Sequence, residues 1–129
     1  MHLRQEILES FQNLGDDRLF LIFIMIIFLD IVTGKSLALK SGKYNSYRGV
    51  QGLIKHVVVL LLQITVSISG NLIGYASMGY SLCVFLIMDY MVSIYANAVL
   101  LGIHLPDIKL IEKEIEKKLK STYGDDNNV

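Results

Sequence analysis

Hydrophobic residues along this chain fall into three long blocks, with a shorter amphipathic stretch on either side. From Leu19 to Leu29 no polar side chain interrupts the first block. From Val57 to Gly74 there is no charge, and from Tyr75 to Gly102 only Asp89 carries one. A helix rising 1.5 Å per residue needs ~20 apolar residues to cross about 30 Å of hydrocarbon. The pattern predicts three spans, over about 19–39, 57–73 and 81–102, in a membrane domain covering 19–105. Extending the first span to Leu39 encloses Asp30 and Lys35, and Lys35 can snorkel toward the interface.

The flanks have a different period. Within residues 1–18, Leu3, Ile7, Phe11 and Leu14 form a helical stripe, with Arg4, Glu6 and Glu9 off it. This predicts an amphipathic helix, broken at Gly15-Asp16-Asp17, that either lies on the headgroups or serves partner contacts or the regulation of insertion. Lys40 to Ser46 is turn-like, with Ser46 as N-cap of the next helix, and Gly74 to Tyr80 is a tight uncharged connector. Pro106 stops the last span and Asp107 can cap the helix after it. In the tail, 106–129, Ile108, Ile111, Ile115 and Leu119 form a stripe, and Glu114–Lys118 and Glu116–Lys120 are favourable i,i+4 pairs. A solvated cytosolic helix with a frayed Gly-Asp-Asp-Asn-Asn end is expected. The fold class is thus an all-α integral membrane protein: three transmembrane helices between an N-terminal and a C-terminal amphipathic helix.

Composition supports this reading. Of the 129 residues 53% are hydrophobic and 19% charged, where a soluble domain has about 25% charged. Twelve Lys+Arg balance twelve Asp+Glu, which gives no electrostatic case for nucleic acid as a partner. Lys and Arg are unevenly spread: two in the N-terminal segment, five over Lys35, Lys40, Lys43, Arg48 and Lys55, none in the second connector, and five in the tail. The positive-inside rule puts that basic loop and the tail in the cytoplasm. Three spans then leave the N-terminus outside and the C-terminus inside. Acidic residues precede the first span and no small-x-small cleavage site succeeds it, so that span is expected to be retained.

Polar residues within the spans mark helix faces that avoid lipid. Asp30 and Gly34 stand one turn apart in the first span. Gln63, Ser67, Gly70, Asn71 and Gly74 share a face of the second, with Gly70 and Gly74 in a GxxxG spacing that permits close helix approach. Asp89, Ser93, Ala96 and Asn97 share a face of the third. Either these faces pack inside one molecule, with Asn and Gln as hydrogen-bonding glue, or they meet other subunits and later line a wet lesion. Asp30 is expected near the inner end of its span, beside Lys35 and the basic loop. Asp89 is expected to be protonated or paired with a polar group of another span, and a proton relay through it lacks a second titratable partner at similar depth.

No pattern for chemistry survives inspection. Gly34-Lys35-Ser36 resembles the end of a phosphate-binding loop, but Leu29 stands where that motif needs glycine. His2, His56, His104 and Cys83 have no metal-type spacing, and there is no Gly-x-Ser-x-Gly elbow. No catalytic, cofactor-binding or metal-binding residue is assigned, and an enzyme is not expected. His56, beside Lys55, reads as an interfacial anchor.

Two blocks carry a family resemblance. Asp30-Ile-Val-Thr33-Gly34-Lys35, Lys43-Tyr-Asn-Ser46 and Gly49-Val-Gln-Gly52-Leu53-Ile-Lys55 make the first. Ser93-Ile-Tyr-Ala-Asn97-Ala98 and Gly102-Ile-His-Leu-Pro106 make the second. Together they resemble the toxin-secretion/phage-lysis holin family, from about Asp30 to Pro106. The family often has acidic residues in its last span; here Tyr90 and Ala96 stand at those places, with Asp89 displaced by one, and His56 stands where a second lysine is common. The resemblance implies a protein that gathers with copies of itself in the bacterial cytoplasmic membrane and then permeabilises it, collapsing the membrane potential and releasing a cell-wall hydrolase or a toxin. Membrane lipids, an antiholin and that hydrolase are the implied partners, and no cofactor is implied. Two other readings stay open: a non-enzymatic membrane adaptor or antiholin, and a small ion-coupled transporter or channel subunit with Asp89 as the coupling carboxylate.

Overall fold

The computed structural model describes residues 2–42, 45–106 and 108–122. Lys43, Asp107 and the predicted frayed end at 123–129 lie outside them, as do the side chains of Arg48 and Leu110. The described residues form five helices and no strand: α1 (His2–Asp16), α2 (Arg18–Ser41), α3 (Ser46–Leu72), α4 (Ala76–Leu100) and α5 (Lys109–Thr122). All of α2 and α4, and Gly49–Leu72 of α3, are long and apolar enough to cross a membrane.

Local chemistry sets the boundaries. The Asp17 carboxylate accepts from Leu19 N–H at 2.9 Å, so the predicted acidic break becomes the N-cap of α2. At the other end Gly42 adopts φ 72° and its N–H reaches the carbonyls of Ala38 and Leu39, a left-handed C-cap. The Asn45 carbonyl accepts from Gly49 N–H at 3.1 Å, so Ser46 is the first helical residue of α3 and not its cap.

Two spans differ in extent from the sequence expectation. The helix of α3 begins at Ser46, close to the expected cap, and its span-capable stretch reaches back to Gly49 instead of starting near 57, because Arg48, Lys55 and His56 raise the cost of hydrocarbon without breaking backbone hydrogen bonding. α4 begins at Ala76 instead of near 81: most of the predicted connector is helical, and only Ile73 to Tyr75 remain as the turn. Tyr75 N–H donates to the Gly70 carbonyl at 2.7 Å. A Cβ on Gly70 would lie 2.7 Å from the Tyr75 carbonyl oxygen, and Gly74 has φ 82°. Both glycines therefore serve a tight turn that a side chain would obstruct. Gly74 lies beyond the end of α3, so the GxxxG spacing does not fall on one helical face.

α4 is the centre of the bundle. It packs against α2 and α3, which touch each other little, and α5 folds back along it. Its apolar window is 28% buried, against 17% for α2 and 11% for α3. The core is small: Phe20, Phe23, Ile27, Cys83 and Tyr90, with Phe23 and Tyr90 edge to face at 5.9 Å. Large apolar residues elsewhere, such as Met25, Phe28, Leu61 and Phe85, are uncovered, as suits helices whose solvent is lipid. α1 packs mainly on α3 through the edge bearing Ser10, with Ile7 and Leu14 half-buried and Leu3 and Phe11 turned outward.

Candidate functional site

The loop end of the bundle, where the α2–α3 connection, the last turns of α4 and α5 come together, holds a seam of polar side chains. Asp30 stands near the midpoint of α2, not near its inner end, because α2 runs on through Lys35 and Lys40 to Ser41. Its Oδ1 accepts from Ser93 Oγ at 2.8 Å and from Asn97 Nδ2 at 3.4 Å. Asn97 Nδ2 also donates to Thr33 Oγ1 at 3.0 Å, and Thr33 returns its hydroxyl to the Leu29 and Asp30 carbonyls. Positions 30, 33 and 34 of α2 thus face 93 and 97 of α4. A Cβ on Gly34 would meet Asn97 Nδ2 at an ordinary 3.8 Å, so Gly34 faces the amide without its packing requiring glycine.

Sequence reasoning misses the rest of the seam. His56, read as an interfacial anchor, turns inward: its Nε2 is 3.7 Å from Asp30 Oδ2 and its Nδ1 is 2.7 Å from Tyr90 Oη. With Nε2–H toward the carboxylate, Nδ1 accepts from the Tyr90 hydroxyl. Asp30 thus has a titratable neighbour, His56, that its sequence context does not reveal. Lys118, read as part of a solvated tail helix, donates to Ser93 Oγ at 2.8 Å and to Asn97 Oδ1 at 2.6 Å. Burial pushes its ammonium below the ordinary lysine range, opposed by Asp30 and Glu114 and reinforced by Lys55 and Lys117. A signal for it exists: 111, 115 and 118 lie on one face of α5, and Ile111 is buried on it. The Tyr95 hydroxyl donates to the Pro106 carbonyl in the link before α5, and Lys40 Nζ caps α4 by donating to the Leu100 carbonyl at 3.3 Å. The described parts of the two lysine-rich regions thus share one end of the bundle.

Beside this seam a cleft of about 720 Å³ opens between α2 and α3 and reaches α5, lined by Asp30, Lys35, Gly52, Lys55, His56 and Lys118 among others. Near the opposite, turn end lies a second cavity of about 380 Å³, lined by Asn13, Asp17, Gln63, Ser67, Asn71 and Tyr80 among others. Gln63 is 2% exposed and donates to Ser67 Oγ and to the Gly79 carbonyl, both at 2.9 Å. Its Oε1 is buried without a hydrogen-bond partner among the described residues. Here α3 and α4 approach so closely that a Cβ on Gly79 would lie 2.7 Å from Ser67 Cα. Gly79 thus belongs to a helix–helix contact and not to the connector in which its sequence neighbours place it. Along α2 and α4 the apolar core around Phe23 and Tyr90 stands between the two cavities.

The predicted span residues therefore divide. Asp30, Gly34, Ser93 and Asn97 meet in one seam, Gln63 and Ser67 in another with Asn71 beside them, and Gly70 and Gly74 shape the turn. Asp89 joins none of these; it is exposed on α4 and makes no hydrogen bond or ion pair with a described residue. Among the basic-loop residues, Lys35 and Lys55 line the cleft and Lys40 caps α4. No group of three or more potential metal ligands occurs among the described residues.

Three spanning helices that bind their polar groups to one another, with two amphipathic helices packed on them, define a small helical integral membrane protein. The sequence profile of the bacteriophage holin family matches residues 10–120, and the chain belongs to that family. Comparison with curated proteins and with solved structures gives no match.

Proposed function

We propose that this protein is a holin that accumulates in the bacterial cytoplasmic membrane in a closed form, then associates with copies of itself and permeabilises the membrane. The observation that carries this reading is the seam at the loop end. Asp30, Thr33, Ser93 and Asn97 are turned inward, bonded to one another and covered by Lys118, so at this seam the closed molecule offers lipid little polar surface. The three helices bury little of one another, which makes rearrangement against neighbouring copies inexpensive. In the assembled form the same side chains line a wet lesion. The lysine-rich end is cytoplasmic, with the N-terminus outside and α1 on the outer headgroups through Leu3, Leu8 and Phe11. A cell-wall hydrolase is the functional partner, and an antiholin would act by holding the closed form.

Inducible expression with a potential-sensitive dye and a co-expressed cytosolic wall hydrolase tests this. The expected result is a delay, abrupt depolarisation, then lysis that requires the hydrolase. Cells that stay energised at high membrane levels of the protein would overturn it; if the protein instead delays lysis by another holin, the antiholin reading takes its place. The Asp30–His56 pair favours a second reading, an ion-coupled carrier or channel subunit. Vesicles loaded with dyes of graded size separate the two, because a holin lesion passes molecules far larger than ions.

A further inference from the structure

Among the charges within the spans, Asp89 and Lys55 are opposite in sign and neither is engaged by a described residue. Asp89 stands near the midpoint of α4, on an exposed face it shares with Phe85 and Met88, which are 67% and 64% exposed. Lys55 is exposed on α3, inside the membrane-spanning stretch that begins at Gly49. Neither makes a hydrogen bond or ion pair with a described residue. The carboxylate that shares the cleft with Lys55 is Asp30, which is already engaged by Ser93, Asn97 and His56, and the cation Lys118 lines the same cleft. A lone carboxylate and a lone ammonium are both costly in hydrocarbon.

The fold holds these charges at one depth. Lys55 directly precedes His56, Asp89 directly precedes Tyr90, and the side chains of His56 and Tyr90 touch at 2.7 Å. With a rise of 1.5 Å per residue, the two charges lie within about one helical turn of each other along the membrane normal. They do not face the same way. Lys55 borders the α2–α3 cleft, whereas Asp89 lines neither cavity and belongs to the outer flank of α4.

We propose that the α4 flank bearing Phe85 and Asp89 is the docking surface for a second copy of this chain, which presents its Lys55 to Asp89. Because the two patches differ, the contact is head-to-tail: each added copy leaves a free Lys55 at one edge and a free Asp89 at the other. Growth therefore does not stop at a dimer but continues to a ring or an extending array. Charge matching at a fixed depth also sets register, since sliding either helix by one turn separates the pair. This inference rests on the holin reading for its purpose, and on the unpaired charges for its geometry.

Charge reversal tests it, using the full chain in membranes at matched levels. Asp89→Lys alone and Lys55→Asp alone each place like charges across the contact, and chemical cross-linking should show higher oligomers reduced about tenfold or more. Mixed together, the two chains can alternate, with Lys at 89 meeting Asp at 55 and Lys55 meeting Asp89. Cross-linked oligomers and depolarisation should then return. That rescue also shows that each chain alone was folded and inserted. Single reversals that assemble like the parent, or a mixture that stays unassembled, would overturn the interface. If the parent assembles through this pair while cells stay energised, the interface stands and the holin reading fails.

Discussion

The two ends of this bundle hide polar groups from lipid by different means. At the loop end, pairing does it: Asp30, Ser93, Asn97, Thr33 and Lys118 bond to one another, and α5 lies over them. At the turn end, close approach dominates: Gly79 lets the α4 backbone lie against Ser67 and accept from Gln63, and one amide oxygen has no partner among the described residues. Paired groups can exchange partners without leaving the fold, whereas a backbone contact has no alternative arrangement. The loop end is thus the half suited to rearrangement, and the turn end the half that holds α3 and α4 together meanwhile.

The largest expected effect lies at the turn end. Gly79→Val puts a branched side chain where even a Cβ stands 2.7 Å from Ser67 Cα and Oγ, and should cost about 3 kcal/mol. Denaturant titration of the protein in micelles measures it, and an unchanged midpoint would remove the distinction between the two ends. Next is Asp30→Ala, which strips the acceptor from Ser93 and Asn97 and the counter-charge from Lys118 and His56. A loss of about 2 kcal/mol is expected in the same titration, with α5 becoming protease-sensitive.

Lys118→Ala should cost only about 1 kcal/mol, because Ser93 and Asn97 keep their bonds to Asp30. Its main consequence is release of α5 from α4, read as faster proteolysis of the tail and an earlier onset of depolarisation. The depressed pKa of Lys118 adds a pH dependence. The free lysine binds its proton more tightly than the docked one, so docking tightens as pH climbs toward the ordinary lysine range and weakens as pH falls through the depressed value. Protection of the tail from protease should change in that direction, and Lys118→Ala should abolish it. The smallest effect is Gln63→Met: two hydrogen bonds are lost, but so is an unbonded buried oxygen, and stability should change by less than about 1 kcal/mol.

The three spans are legible in the sequence because hydrocarbon demands long apolar runs, and the α2 seam residues are legible because Asp30 and Gly34 keep helical spacing. Span ends are less so. Charge density marks where lipid ends, not where a helix ends, and this is why α3 starts turns before its apolar stretch. Partners across helices are hidden for another reason. Nothing local in Lys55-His56 tells whether the imidazole points to headgroups or to a carboxylate on α2; the rotation of α3 against α4 decides it. Lys118 and Gly79 look like tail and connector from their neighbours in sequence, although 111, 115 and 118 do share a helical face. For Asp89, expected to be protonated or paired with a polar group of another span, the fold supplies no such partner among the described residues and leaves it exposed on α4.

Whether the loop-end seam is shut at rest and wet after triggering decides between this mechanism and a static bundle. Labelling a Ser93→Cys chain, with Cys83→Ala to remove the native thiol, by a membrane-impermeant thiol reagent follows that seam through an induction time course. A closed resting form that opens should show no labelling until depolarisation and rapid labelling after it. Labelling from the start, or none once the potential has collapsed, would refute it.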